Sequence, residues 1–247
     1  MAASRGVMRF IQFSDTHLRA DISLIRGVDT AAALEQAVEE ANRRAEFVVH
    51  TGDIVSRPAD AASYRRYSVL LKALSPQIRH VPGNHDDVRL MRAYLGSQDG
   101  YFPWSFVRRG VRFIGLDSSG GALDTRQLRQ LSSLLAEPDT PTVIFLHHHL
   151  CEMEESWLNP YRLGNTGDLS QVLRAANSRV IGLVHGHIHH YAKFAFEHVP
   201  VYSAPALSAQ FDPHGEFLAT TDDGPACVEF EITPAGSVSR RIVRCET

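Results

Sequence analysis

The chain has 247 residues, 44% hydrophobic and 21% charged, with a net charge of −3 when histidines are neutral. That make-up suits one large globular domain spanning 1–247, and the weak negative charge argues against a protein built to cover a nucleic-acid backbone, which needs a basic face. No apolar run reaches the roughly 18 residues of a membrane span. The opening stretch Met1–Arg9 lacks the apolar centre of a secretory signal, and Cys151, Cys227 and Cys245 have no framework spacing, so a cytoplasmic chain without structural disulfides or a membrane partner is expected.

Val7–Phe13 reads as a strand ending in Ser14-Asp15-Thr16-His17. Asp29 or Thr30 then caps a helix over Ala31–Ala45, with Leu34, Ala37, Val38 and Ala41 at the spacing of one helical face. Phe47–Val49 is a strand delivering His50-Thr-Gly-Asp53. A second helix near Asp60–Leu74 places Tyr64, Tyr67, Leu71 and Leu74 on one face, and Ile78–Val81 is a third strand leading to Pro82-Gly-Asn-His-Asp86. A short helix near Asp87–Leu95 follows, with Asp86 favoured as its cap. Phe106-Val107 and Val111–Leu116, divided by Arg108-Arg-Gly110, read as a hairpin. Asp124 caps a helix carrying Leu128, Leu131 and Leu135, and Thr142–Leu146 is a strand ending in His147-His-His149. Leu150–Gly167 is a long loop of weak periodicity, a length that usually signals function. A helix over Asp168–Ala176 leads to the strand Val180–Val184 and then to Gly186-His-Ile-His-His190. The short strands Tyr191–Phe196, Val199–Ser203, Cys227–Ile232 and Val238–Val243 close the chain and look antiparallel. This order predicts an α/β fold with a mixed sheet, or two sheets packed together between helices.

Five polar clusters each follow an apolar strand directly: Asp15/His17, Asp53, Asn84/His85, His147 and His187/His189. Ligands of open α/β sheets bind beyond the carboxyl ends of the strands, so the clusters are expected to meet at one edge. On an extended segment His187 and His189, two apart, would face one side. Taken singly, each cluster reads equally well as a turn, a helix cap or a solvated loop; together, five sets of metal-binding and proton-binding side chains point to a metal site.

In order and spacing, Asp15-Thr-His17, Gly52-Asp53, Gly83-Asn-His-Asp86, His147 and Gly186-His-Ile-His189 resemble the five signature blocks of calcineurin-like metallophosphoesterases. Within that family the chain is most similar to bacterial class III cyclic-nucleotide phosphodiesterases and glycerophosphodiesterases. Softer likenesses lie at Gly27-Val-Asp-Thr30, Leu116-Asp-Ser-Ser119, Ser156-Trp-Leu158 and Asn165. The resemblance implies a four-layer α/β/β/α sandwich of two mixed sheets flanked by helices. It also implies a two-metal centre, with Asp15, His17 and His189 on one ion, Asn84, His147 and His187 on the other, and Asp53 bridging. Mixed oxygen and nitrogen ligands suit manganese, iron or zinc. The implied reaction is hydrolysis of a small phosphodiester by a metal-bound hydroxide, with 3′,5′-cyclic nucleotide the first choice. Asp53 and Asn84 would act on the phosphoryl group and His85 as general acid.

The sequence departs from the family where His149-Leu150 stands in place of a proline after the histidine pair, and where Pro205-Ala-Leu-Ser-Ala-Gln-Phe211 replaces a Pro-Ser-Thr-Cys-like run. His50 and His148 are read as supporting residues, His190 as exposed, and Trp157 as either a base-stacking residue or an anchor for its loop. Arg57, Tyr64 and Arg66 are candidates for a contact between copies. Alternative readings are a glycerophosphodiester or promiscuous phosphodiester hydrolase, a nuclease disfavoured by the absence of basic clusters, and a non-catalytic scaffold disfavoured because every signature position is filled.

Overall fold

A computed structural model describes residues 6–96, 101–138 and 140–245. The first five residues of the stretch read as lacking a signal segment lie outside the described residues. β1 (Met8–Phe13), β2 (Phe47–His50) and β3 (Gln77–His80) run parallel. β10 (Ala226–Ile232) joins the free edge of β1 antiparallel, and β11 (Val238–Arg244) pairs antiparallel with β10. The second sheet has the order β4 (Trp104–Arg108), β5 (Val111–Gly115), β6 (Thr142–Phe145), β7 (Val180–His185), β9 (Val199–Ser203), β8 (Lys193–Phe196). The central run β5-β6-β7-β9 is parallel and both edges are antiparallel. Of the late strands expected to be antiparallel, β9 therefore departs, because its chain passes β8 to lie beside β7.

Alternation along the strands explains the layers. Phe10, Phe47, Phe113, Phe145 and Phe230 point between the sheets and are fully or almost fully buried. Phe10 stacks on Phe230 at 4.7 Å and on Phe47 at 5.1 Å. The alternate residues Ile11, Phe13 and Val48 face α1 (Thr30–Arg44), α2 (Ala61–Leu70) and α3 (Val88–Leu95). Ile114, Ile144 and Leu183 face α4 (Thr125–Leu134) and α5 (Thr166–Arg174). Two faces buried on each sheet give the four-layer α/β/β/α sandwich.

The caps are local. Asp29, Asp60 and Asp124 accept backbone N–H groups at the starts of α1, α2 and α4. At α3 the cap is Asp87, whose carboxylate accepts from Arg89 and Leu90, and the expected cap Asp86 is used elsewhere. α2 is shorter than expected, ending in a 3₁₀ turn at Leu71–Ala73, and α5 starts two residues early at Thr166. The β4–β5 hairpin turns on Arg109 (φ 49°) and Gly110 (φ 78°), the left-handed pair of a two-residue turn. All three cysteines are free thiols, and no helix among the described residues is long and apolar enough to cross a membrane.

Candidate metal centre

β1, β2, β3, β6 and β7 all end at one edge of the sandwich, and the five clusters begin two to four residues beyond them. Their loops are knitted by backbone bonds: Asp15 N to Gly52 O (3.0 Å), His17 N to Asp53 O (2.9 Å) and Gly186 N to His147 O (3.2 Å). Two glycines let the loops close. A Cβ on Gly83 would collide with Asp53 Oδ1, and one on Gly186 with Ser14 Oγ, so only glycine fits between these elements.

Asp15, His17 and His189 form one group of donor atoms, and Asp53, His147 and His187 another. His17 Nε2 lies 3.2 Å from His189 Nε2, which is 3.4 Å from Asp15 Oδ1. In the second group His147 Nε2 lies 3.1 Å from Asn84 Oδ1 and 3.1 Å from His187 Nδ1. One atom faces both groups: Asp53 Oδ2, 3.6 Å from His17 Nε2 and 3.4 Å from His147 Nε2. All seven residues expected as ligands are thus brought together. His187 and His189 reach the site differently from the expectation, because β7 stops at His185 and both residues are left-handed (φ 72° and 46°). Asp15, His17 and Asp53 are left-handed too, at φ 52°, 46° and 54°. Five strained non-glycine residues in one place, each costing on the order of 1–3 kcal/mol, mark a site held in shape by its surroundings.

The hydrogen bonds fix which nitrogens are bare. His147 Nδ1 donates to Thr51 O (2.8 Å) and His189 Nδ1 to Ala209 O (2.8 Å), which turns each Nε2 into the site. There they face carboxylate, amide and imidazole groups, an arrangement that suits cations between them. Charge agrees with this. Burial opposes the Asp15 carboxylate, but His189 overrides it and holds the pKa down to about 2. Burial likewise opposes Asp53, yet His147 and the other imidazoles hold it well below the ordinary range. Burial lowers His17 to about 4 and His187 well below its usual value, so both stay neutral donors. His147 is pushed up to about 9 despite burial, because Asp53 lies against it; a cation there would take the place of that proton. The residues present therefore fit a pair of metal ions.

The surroundings sort the remaining residues. His50 accepts from Gly52 N at Nδ1 and so donates from Nε2 to Thr16 Oγ1 (2.7 Å), tying the loops that carry Asp15 and Asp53. Asp86 does not cap α3; it lies beneath Asp53, accepting from Ile54 N, Gly83 N and Tyr64 Oη. Burial and the nearby Asp53 charge raise its pKa to about 6. His148 binds Ser118 Oγ through Nδ1 and packs on His187 at 4.6 Å. His149 stacks on His187 at 5.5 Å with no hydrogen-bond partner at either nitrogen among the described residues, and burial keeps it neutral, at about 3. His190 is half-buried, not exposed. Tyr64 is buried and so presents no side chain to a second copy; Arg66, half-buried, donates to the carbonyls of Arg19 and Asp21, and Arg57 is exposed.

His85 stands over the site with its ring perpendicular to that of His17, the two ring centres 4.9 Å apart, and its Nδ1 donating to Ser56 O (2.9 Å). Beside it opens a cavity of about 200 Å³ walled by Trp157, Tyr161, Phe211 and Phe217. Phe211 lies flat on His189 at 4.0 Å, and Gln210 pins the preceding loop by bonds to Ala206 N and O. Trp157 is anchored by Nε1 to Asp212 O (2.9 Å), as the loop-anchor expectation requires, and its side chain also lines the cavity. Tyr161 and Phe217 were not singled out from sequence. An exposed phenylalanine amid Asp212-Pro-His-Gly and Asp222-Asp-Gly was the available signal.

Residues 8–191 match the family model described as calcineurin-like phosphoesterase. The chain is 27% identical to the 3′,5′-cyclic adenosine monophosphate phosphodiesterase CpdA of Haemophilus influenzae, over 99% of this chain and 92% of that one. It is 30% identical to the enzyme of the same name from Pseudomonas aeruginosa, over 85% and 80%. Among solved structures, a dimetal phosphatase from Danio rerio superposes with a TM-score of 0.67 at 16% identity, covering 97% of this chain and 99% of that one.

Proposed function

This chain belongs to the calcineurin-like phosphoesterase family, and on that premise we propose that it hydrolyses a small phosphodiester, 3′,5′-cyclic adenosine monophosphate first, at a two-metal centre. The observation that carries the reading is the placing of Asp53 Oδ2 between the two groups of donor atoms. Near full-length likeness to enzymes named for cyclic AMP hydrolysis supports the substrate. Asp15, His17 and His189 would hold one ion, Asn84, His147 and His187 the other, and Asp53 both. Manganese, iron and zinc all suit this donor set. When bound, such a pair supplies Lewis acidity and ionises water at neutral pH.

The chain's own residues do the rest. The Asn84 amide oxygen, a weak neutral donor, leaves its side of the centre electrophilic toward a phosphoryl oxygen. His85, held through Nδ1 by Ser56 O, presents Nε2 and, as imidazolium, gives the proton on that nitrogen to the leaving ester oxygen, a step worth about 10²–10⁴ in rate. Phe211 covers His189 and keeps water from that side. Trp157, Tyr161 and Phe217 offer faces to a nucleobase. The chain acts as one domain, because both sheets deliver ligands to one centre, and free thiols fit a cytoplasmic setting. The test is a panel of cyclic nucleotides, glycerophosphodiesters and aryl phosphates with metal content measured in parallel. Preference for aryl monoesters over every diester would remove the reading.

A further inference from the structure

A second cleft, of about 370 Å³, meets the aromatic one at the centre. The two share His17, His85, His189, Phe211 and Leu218, and differ in their far walls. The first ends in Trp157, Tyr161 and Phe217, and the second in Arg19, Arg26 and Ser56. Both arginines are placed by the fold. Ile25 and Val28 exchange backbone bonds of 2.9 and 3.0 Å across a tight turn, with Arg26 (φ 48°) and Gly27 (φ 86°) at its tip. Arg26 then donates to Leu218 O at 3.2 Å and lies 5.9 Å from the Phe211 ring. Arg19 donates from one terminal nitrogen to Ser23 Oγ at 3.1 Å, while its buried Nε has no partner among the described residues. Asp21 lies near Arg19, but its carboxylate is taken up by Ser23, and neither arginine has a carboxylate within ion-pair distance among the described residues. Two guanidiniums with no carboxylate in ion-pair contact among the described residues, at the mouth of a phosphoester site, are a place for a second anion.

A 3′,5′-cyclic nucleotide has both ester oxygens in one ring and occupies one cleft. An acyclic diester has two arms. We propose that this chain also cleaves short linear dinucleotides carrying a terminal 5′-phosphate. The diester would sit at the metal centre, one base against the aromatic wall, and the terminal phosphate at Arg19 and Arg26. The inference rests on the reading of the centre as a phosphodiesterase. In the reaction the water oxygen bonds to phosphorus and the P–O3′ bond breaks. O3′ leaves with the electron pair and takes a proton from His85 Nε2, and the attacking water restores that proton. The products are two nucleoside 5′-monophosphates, and O3′ is the same leaving atom that opening a 3′,5′-cyclic ring to a 5′-monophosphate requires.

The experiment compares three substrates on the metal-loaded chain: adenylyl-(3′→5′)-adenosine with a 5′-phosphate, the same dinucleotide without it, and 3′,5′-cyclic AMP. The expected kcat/KM ratio of phosphorylated to unphosphorylated dinucleotide is about tenfold or more, expressed mainly in KM. It falls to near one in Arg26→Gln and in Arg19→Gln. Arg26 sits on an exposed turn, so its variant reports even if the Arg19 variant fails to fold. A ratio near one in the wild type, or an unchanged ratio in a folded Arg26→Gln, overturns the proposal. So does cleavage of a longer oligonucleotide as efficient as that of the phosphorylated dinucleotide, which would assign the cleft to a polynucleotide. Cyclic AMP turnover with neither dinucleotide cleaved overturns the second activity alone. No turnover of any of the three by fully loaded protein overturns the phosphodiesterase reading with it.

Discussion

Gly186→Ala tests whether the site is held in shape by close approach of β7's exit to β1's. The new Cβ would collide with Ser14 Oγ and come within 2.6 Å of Asp15 Oδ2 and 3.2 Å of Thr51 O. Ser14 and Asp15 are fully buried, so neither has space to retreat. Restoring van der Waals distance moves Asp15 by roughly half an ångström or more, since carbon–oxygen contacts under about 3 Å are not tolerated in packed interiors. Overpacking of this kind costs about 1–3 kcal/mol. The movement also strains the bonds from His187 N to Asp15 (3.0 and 3.2 Å) and from Ser14 Oγ to Asp15 Oδ2 (2.5 Å). Disturbing the partners that orient a ligand lowers metal affinity by about 10–100-fold. Urea unfolding of the metal-free protein reads the packing penalty, and calorimetric titration with manganese reads the affinity. Gly167→Ala is the control, since a Cβ there meets nothing within 4 Å; its stability should hold or rise slightly, as a helical Gly→Ala change does. A Gly186→Ala protein with wild-type stability and wild-type metal affinity would refute the reasoning.

His85→Ala with metal content intact should lower kcat on 3′,5′-cyclic AMP by about 10²–10⁴-fold, yet change turnover of an aryl diester with a good leaving group only a few-fold. Equal losses on both would take the proton from His85. Phe217→Ala, at a residue 63% exposed, should raise KM for cyclic AMP by about fivefold or more with little change in kcat, because base stacking is worth about 1–3 kcal/mol; an unchanged KM would move the base elsewhere. Tyr64→Phe should cost about 1–3 kcal/mol in urea unfolding, since it removes the hydroxyl that joins Asp86 Oδ1 and Asp87 N, each at 2.9 Å. A loss below about 0.5 kcal/mol would show that water replaces it.

The five clusters were legible because four of them follow apolar strands of ordinary pattern and the fifth follows the short edge strand β3, and parallel strands gather their carboxyl ends. What sequence could not carry was conformation. Nothing in Asp15, His17 or Asp53 announces a left-handed backbone, which arises from bonds between loops distant in the chain. Asp86 and Asp87 are equally good caps by composition. The choice falls to Asp87 because Gly83 N, Ile54 N and Tyr64 Oη draw the Asp86 carboxylate under the site. His187 and His189 were assigned to one side of an extended segment. They instead turn through two left-handed residues beyond β7, and so reach separate donor groups. The walls of the two clefts were the least legible part. Arg26 and Phe217 are about 190 positions apart, and each reads alone as a solvated loop residue. The bond from Arg26 to Leu218 O places their loops at one mouth.

The central claim is that Asp53 joins two donor groups into a centre whose metals the reaction needs. Elemental analysis of wild type and Asp53→Asn, with cyclic AMP hydrolysis measured on the same samples, tests it most directly. Wild type should hold about two ions per chain and the variant at most one, with activity lower by about 10³-fold or more. A variant that keeps two ions and hydrolyses cyclic AMP within a few-fold of wild type, or a wild type fully active after stripping by chelator, would contradict it.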